Sequence, residues 1–260
     1  IMHGLGQFVL FNVLMCLGQP VHGSDIIHGE IAPDNSMLYM VSLQNQNGQH
    51  VCGGFLVSED FVVTAAHCKK WEPDRVLLGS QNLRSENITK MKIESKCIFP
   101  TYKSVGLGDD LMLLKVSEKA PLNNGLKTIP LASPETKLRE NQICSVAGWG
   151  RTEKDPLNNV DDLRVVKVSI ISPKLCQDKW GDNFPSKVIC AGGYGTNKGF
   201  CQGDSGGPLV CDGIAVGVVS FNRKINNNPI CKYPDVPNVY TDVSKYVPWI
   251  NKILKTKKCV

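Results

Sequence analysis

The sequence predicts an all-β protein of the barrel type with a single helix at its C-terminal end. Short runs of aliphatic and β-branched residues recur along most of its length, separated by Gly, Asn and Pro. Only Val243 to Leu254 carries a helical spacing, with Val247, Ile250, Ile253 and Leu254 on one side. The chain has 260 residues, 42% hydrophobic and 20% charged, so it can bury a full core as one large domain or two small ones. That composition excludes a globally disordered chain.

In chain order, residues 1–23 read as a secretory signal peptide. An apolar run from Phe8 to Leu17 is followed by Gly18-Gln19-Pro20 and the small or aliphatic Val21 and Gly23. A membrane anchor is the alternative, but the run is shorter than the roughly 20 residues needed to span a bilayer. Strands are expected at Tyr39 to Leu43, Phe61 to Thr64, Val76 to Leu78, Leu111 to Val116 and Ser145 to Ala147. Further strands are expected at Arg164 to Ile171, Pro208 to Cys211 and Ala215 to Phe221. Pro121 to Glu140, rich in Pro, Asn and Lys, is the natural crossover between two halves.

The chemistry concentrates in Gly203-Asp204-Ser205-Gly206-Gly207-Pro208, which sets one serine in a glycine-flanked turn where backbone N–H groups can converge on an anion. A serine hydroxyl is a poor nucleophile until a base takes its proton and donors stabilise the oxyanion that follows. Upstream, His67 closes Thr64-Ala65-Ala66-His67 directly before Cys68, and Asp110 heads Asp110-Leu111-Met112-Leu113-Leu114-Lys115. The order is therefore His, Asp, Ser.

With these motifs, and with Ile26-Ile27-His28-Gly29, Cys52-Gly53-Gly54 and Ala147-Gly148-Trp149-Gly150, the chain resembles the chymotrypsin-type (trypsin-like) serine proteases over about residues 26 to 251. The resemblance implies two six-stranded antiparallel β-barrels with a C-terminal helix, and an active site in the cleft between them. His67 and Asp110 would come from the first barrel and Ser205 from the second. In that family the histidine takes the proton of the serine as its oxygen attacks a peptide carbonyl, and the aspartate orients the imidazole. The backbone N–H groups of Gly203 and Ser205 would form the oxyanion hole. Asp109 precedes Asp110, but the family register selects the second acid. A catalytically silent relative acting as a binding or antimicrobial protein is the alternative, and such relatives usually lack one of these three residues.

Eleven cysteines in a chain with a secretory leader point to an oxidising compartment. The resemblance implies the pairs Cys52–Cys68, Cys144–Cys211, Cys176–Cys190 and Cys201–Cys231. Cys16 leaves with the leader, so Cys97 and Cys259 remain, at positions not standard for the family. An even remainder favours a fifth bridge; free thiols or a bridge to another chain are the alternatives.

Family members mature when a new N-terminus folds inward to pair with the acid preceding the nucleophile, here Ile26 with Asp204. The residue before Ile26 is Asp25, so a tryptic convertase would not cut there. Ser24-Asp25 resembles the dipeptide that a dipeptidyl peptidase removes from granule proteases such as granzymes, mast-cell chymases and cathepsin G. A secreted or granule-stored enzyme follows, with residues 26–260 as the protease domain.

The matching pocket positions are Gly199, Phe200, Ser220, Phe221, Asn222 and Asn238. Gly199 stands where a trypsin carries Asp, which argues against cleavage after Arg or Lys. Phe200 and Asn238 replace smaller residues, so a shallow or partly filled pocket is expected, and the insertion Arg223 to Ile230 alters its wall. Protein or peptide substrates and serpin-type inhibitors are the partners implied, with the protein acting as a monomer.

The formal charge of +5 allows binding to sulfated glycosaminoglycan at Lys69-Lys70, Arg223-Lys224 or Lys255-Lys257-Lys258, and is equally compatible with plain solubility. No segment resembles a nucleic-acid module. Asn87-Ile88-Thr89 is an N-glycan acceptor at Asn87. The histidines lack metal-ligand spacing, and no metal or cofactor is expected.

Overall fold

Two β-barrels pack against each other in a computed structural model that describes residues 26–122, 125–223, 231 and 235–259. The expected signal peptide, the Ser24-Asp25 dipeptide and nearly all of the Arg223 to Ile230 insertion lie outside the described residues. The chain opens with β1 (Glu30–Ile31), then β2 (Met40–Gln44), β3 (His50–Ser58), β4 (Phe61–Thr64), β5 (Arg75–Leu78), β6 (Thr89–Ile98) and β7 (Met112–Val116). Strands β2-β3-β4-β7-β6-β5 close into an antiparallel barrel, with Ser42 of β2 opposite Leu77 of β5 at the closure.

The second barrel is built from β8 (Ile143–Gly148), β9 (Arg164–Ile171), β10 (Val188–Ala191), β11 (Pro208–Cys211), β12 (Ile214–Phe221) and β13 (Val239–Asp242). The order β9-β10-β13-β12-β11-β8 returns to β9, so this sheet closes too, and β1 adds to it at Glu30 opposite Val165. Two six-stranded barrels and a C-terminal helix are thus present.

Strand formation follows the side-chain period of two. In β9, Val166, Val168 and Ile170 face the second core while Lys167 faces solvent. In β6, Met91 and Cys97 point inward and Lys90, Lys92 and Lys96 outward, with a register shift between Ile93 and Ser95. The Lys-rich outer face hid β6 from the sequence prediction, although its inner face alternates.

The helices depart from expectation in two places. Residues Pro173–Trp180 form a helix, α1, that hydrophobic spacing does not reveal, because only Cys176 is buried. Its signal is the Ser172-Pro173 start, with proline in the first turn where its missing N–H costs nothing. At the C-terminus the predicted continuous helix is broken. Val243–Lys245 is a 3-10 turn, and the α-helix α2 runs over Val247–Thr256. Pro248 lacks an N–H, and its ring would meet the carbonyl one turn back, so helix can only begin afresh there. Tyr246, Ile250 and Ile253 are buried and join the first-barrel core, so the last segment of the chain covers the barrel formed by the first.

Between the barrels the crossover hands over from one core to the other. Ile129 N–H donates to Leu56 O in the first barrel, and Ala132 N–H to Ala215 O in the second. Five disulfides join Cys52–Cys68, Cys97–Cys259, Cys144–Cys211, Cys176–Cys190 and Cys201–Cys231.

The Cys97–Cys259 bridge spans 162 residues and ties the end of α2 to β6. Replacing both cysteines by Ser is expected to cost about 2–4 kcal/mol. The check is a lower thermal midpoint with the other four pairs still linked in a non-reducing peptide map; an unchanged midpoint refutes it.

Candidate active site

His67 is delivered by the end of β4, where the chain leaves the strand at Ala65 and turns through the 3-10 segment Ala66–Trp71. The Cys52–Cys68 bridge pins that turn to β3. Asp110 sits just before β7 and is 1% exposed. Its Oδ1 accepts from the His67 backbone N–H at 2.9 Å and its Oδ2 from His67 Nδ1 at 2.7 Å. Ser220 Oγ donates to the same Oδ2 at 2.6 Å, and Thr241 Oγ1 donates to the Asp110 carbonyl at 3.0 Å. Burial alone would raise the Asp110 carboxyl, but the bonds and charge of His67 with the Ser220 hydroxyl hold it below the ordinary carboxylate range. A carboxylate can only accept, so Nδ1 carries a ring proton toward Asp110, and Nε2 is the nitrogen on the other side of the ring.

Ser205 is held against the first barrel through backbone contacts that glycines permit, and among the described residues its Oγ makes no hydrogen bond to His67. Gly53 N–H donates to Ser205 O at 2.8 Å, and Cys68 Sγ lies 3.7 Å from that same oxygen. A Cβ on Gly206 would stand 2.1 Å from Thr64 Oγ1 and 2.5 Å from Gly53 O. Gly206 also has φ +83°, a conformation L side chains rarely adopt. Among the described residues the backbone N–H groups of Gly203 and Ser205 donate no hydrogen bond.

A histidine not singled out in the sequence sits behind Gly203. His50 Nε2 lies 2.9 Å from Gly203 O and its Nδ1 2.7 Å from Ser42 Oγ. The carbonyl must accept, so Nε2 carries the hydrogen and Nδ1 accepts from the serine. Burial pushes the His50 imidazole down to about 4, which keeps it neutral near pH 7. No sequence motif marks His50, because its partners lie 8 and 153 residues away.

Asp204 is fully buried in a glycine-lined slot. Its Oδ1 accepts from Gly150 N–H and its Oδ2 from Cys201 N–H, each at 2.8 Å. A Cβ on Gly148 or Gly150 would fall 2.1 or 2.6 Å from the Asp204 carboxyl. Ile26 is buried in the second-barrel core, and among the described residues no cation pairs with Asp204. Burial pushes this carboxyl up to about 7.

Of the pocket residues, Gly199 N–H meets Ile27 O at 3.4 Å. The Phe200 ring lies in the second core, edge-on to Tyr240 at 5.2 Å. Its backbone is held at both ends, the N–H by Asn238 Oδ1 at 3.2 Å and the carbonyl by Asn222 Nδ2 at 3.1 Å. Asn238 is fully buried, and Phe221 packs edge-on to Trp180 at 5.1 Å. Ser220 turns its hydroxyl to Asp110. Asn87 is exposed just ahead of β6. The cluster Cys52, His67, Cys68 has metal-like spacing, but both sulfurs are spent in a disulfide and offer no thiolate.

The fold of two six-stranded barrels with a C-terminal helix is that of the chymotrypsin-type serine proteases. The trypsin family matches residues 26–250, and the chain belongs to that family as a serine endopeptidase. It is 36% identical to Granzyme-like protein 2 of Rattus norvegicus over 95% of this chain and 97% of that one. It is 35% identical to Duodenase-1 of Bos taurus (96% and 98%) and 34% identical to Mast cell protease 3 of Ovis aries (96% and 98%). These relatives place it in the granule-protease subfamily.

While Ile26 remains internal, the raised Asp204 carboxyl makes stability pH-dependent. The folded state binds this proton more tightly than the unfolded chain, whose carboxyl titrates near 3.8. The contribution is therefore complete below that value and lost as the pH rises through about 7. Thermal melts of the unprocessed chain across this range are expected to fall with pH, and Asp204→Asn to flatten the slope; equal slopes refute the assignment.

Proposed function

We propose that the protein is a secreted or granule-stored endopeptidase in which His67, Asp110 and Ser205 act as a catalytic triad, with a P1 preference other than Arg or Lys. The observation that carries this reading is the double hydrogen bond from His67 to the buried Asp110, next to a glycine turn that brings Ser205 against the same disulfide. His67 Nε2 takes the Ser205 hydroxyl proton as Oγ attacks the substrate carbonyl carbon. Asp110 then stabilises the imidazolium without itself taking the proton. The N–H groups of Gly203 and Ser205 receive the oxyanion. Collapse of the tetrahedral intermediate breaks the C–N bond, and His67 returns the proton to the leaving amine. Water activated by the same nitrogen releases the acyl group from Ser205.

Maturation by a dipeptidyl peptidase would remove Ser24-Asp25 and give Ile26 a free ammonium. Insertion of that charge beside Asp204 would supply the partner its buried carboxylate needs and fix the neighbouring N–H groups. Gly199 brings no carboxylate to the pocket floor, and a buried substrate cation there would stay unpaired. The names of the relatives support release into a granule or the extracellular space.

Chain trimmed to begin at Ile26 is expected to react with a fluorophosphonate probe and to cleave a P1 peptide library after residues other than Arg and Lys. Ser205→Ala should abolish labelling and lower turnover by at least ~10⁴-fold. A trimmed parent that neither labels nor cleaves would establish a silent homologue. Dominant cleavage after Arg or Lys would overturn the specificity.

A further inference from the structure

The acid beside the proposed triad member occupies a position of its own. Asp109 has φ 56°, a left-handed conformation that costs a non-glycine residue about 1 kcal/mol or more, so its surroundings must hold it. Three groups do so, each from a different part of the chain. Thr101 Oγ1, in the β6–β7 connection of the first barrel, donates to Oδ2 at 2.5 Å. Lys187 Nζ, beside β10 of the second barrel, donates to Oδ1 at 3.1 Å. Tyr246 OH, at the start of α2, donates to Oδ1 at 2.9 Å.

The donors are themselves braced. Lys187 Nζ lies 5.5 Å from the Tyr246 ring and 5.6 Å from that of Phe99, and Phe99 packs edge-on to Tyr246 and Trp249. Asp242 N–H donates to the Lys187 carbonyl at 3.1 Å. Burial alone would raise the Asp109 carboxyl, yet these three donors and the Lys187 charge hold it below the ordinary range. It is therefore ionised at neutral pH and fully committed to the clamp.

On its backbone side, Asp109 O accepts from Leu111 N–H at 2.8 Å. Asp110 is thereby the middle residue of a three-residue turn, and the Asp109 backbone orients the carboxylate that follows.

We propose that Asp109 is a positioning residue. Its carboxylate clamps the second barrel and α2 to the turn that carries Asp110, and so sets the Asp110–His67 hydrogen bond. The inference rests on the triad reading, and it adds an element that reading does not need. Triad members contributed by two barrels must hold their spacing to a fraction of an ångström, because a misplacement of about 1 Å can cost ~10²-fold in rate. An inter-barrel ion pair one residue from Asp110 meets that requirement directly.

The test compares Asp109→Ala, Asp109→Asn, Lys187→Met and Tyr246→Phe with the parent in the full chain matured to begin at Ile26. Sites are counted by phosphonate titration, and kcat and KM are measured separately. The low-field proton resonance of His67 Nδ1–H bonded to Asp110 gives a readout independent of turnover.

Asp109→Ala is expected to lose about 10- to 100-fold in kcat per titrated site, with KM within about twofold and a shifted or broadened resonance. Asp109→Asn should recover kcat to within about threefold, since its amide can accept from Tyr246 and donate to Thr101. An Asp109→Ala variant that only melts lower, with parental kcat and resonance, overturns the proposal. Should that variant not fold, Lys187→Met and Tyr246→Phe decide: severalfold losses in kcat support it, and parental values in both overturn it. A parent without turnover or labelling would count against the triad reading alone, because the resonance still reports whether the clamp positions Asp110.

Discussion

The buried carboxylate of Asp110 is the constraint around which the two barrels are arranged. An ionised group at 1% exposure is tolerated only when its lone pairs are filled by donors, and here the donors come from both barrels. His67 supplies two N–H groups from the first, and Ser220 one hydroxyl from the second. Separating the barrels would take the Ser220 donor from this carboxylate and leave it to water. The same bonds place a proton on His67 Nδ1, so the arrangement that keeps the charge stable also turns Nε2 away from Asp110.

Glycines set how closely the second barrel approaches. Gly53 and Gly206 let the Ser205 turn rest on β3 and β4 backbone, and Gly148 and Gly150 open the slot that Asp204 fills. Gly148, Gly150 and Gly206 have space for hydrogen and nothing larger, and a Cβ on Gly53 would crowd Gly207 at 3.2 Å. The Gly203 carbonyl is tied to the neutral His50, and the Asp204 carboxyl to Gly150 and Cys201, so the peptide between them is held from both sides. Asp109, Lys187 and Tyr246 supply a further inter-barrel link beside Asp110.

Much of the architecture was legible before any coordinate. Strands such as β4 and β9 are short β-branched runs, and the apolar side of α2 repeats at helical spacing, so local pattern and burial agree. Elements with little burial were not legible. Helix α1 buries only Cys176, and β6 hides its alternation behind three lysines and a bulge. The edge-on contact of Phe200 with Tyr240 was not legible either, because the two rings meet only through the packing of the second core.

By itself the sequence determined the class of fold, the order of the three candidate catalytic residues and the supply of cysteines, because each is written in local spacing or residue type. Only the tertiary structure decided that Asp109, adjacent in the chain to the acid facing His67, turns to Lys187. It alone brought His50 to Gly203 across 153 residues, and Cys97 to Cys259 across 162. Such contacts arise from barrel closure and from the packing of α2, and no local pattern encodes a distance that exists only once both barrels have formed.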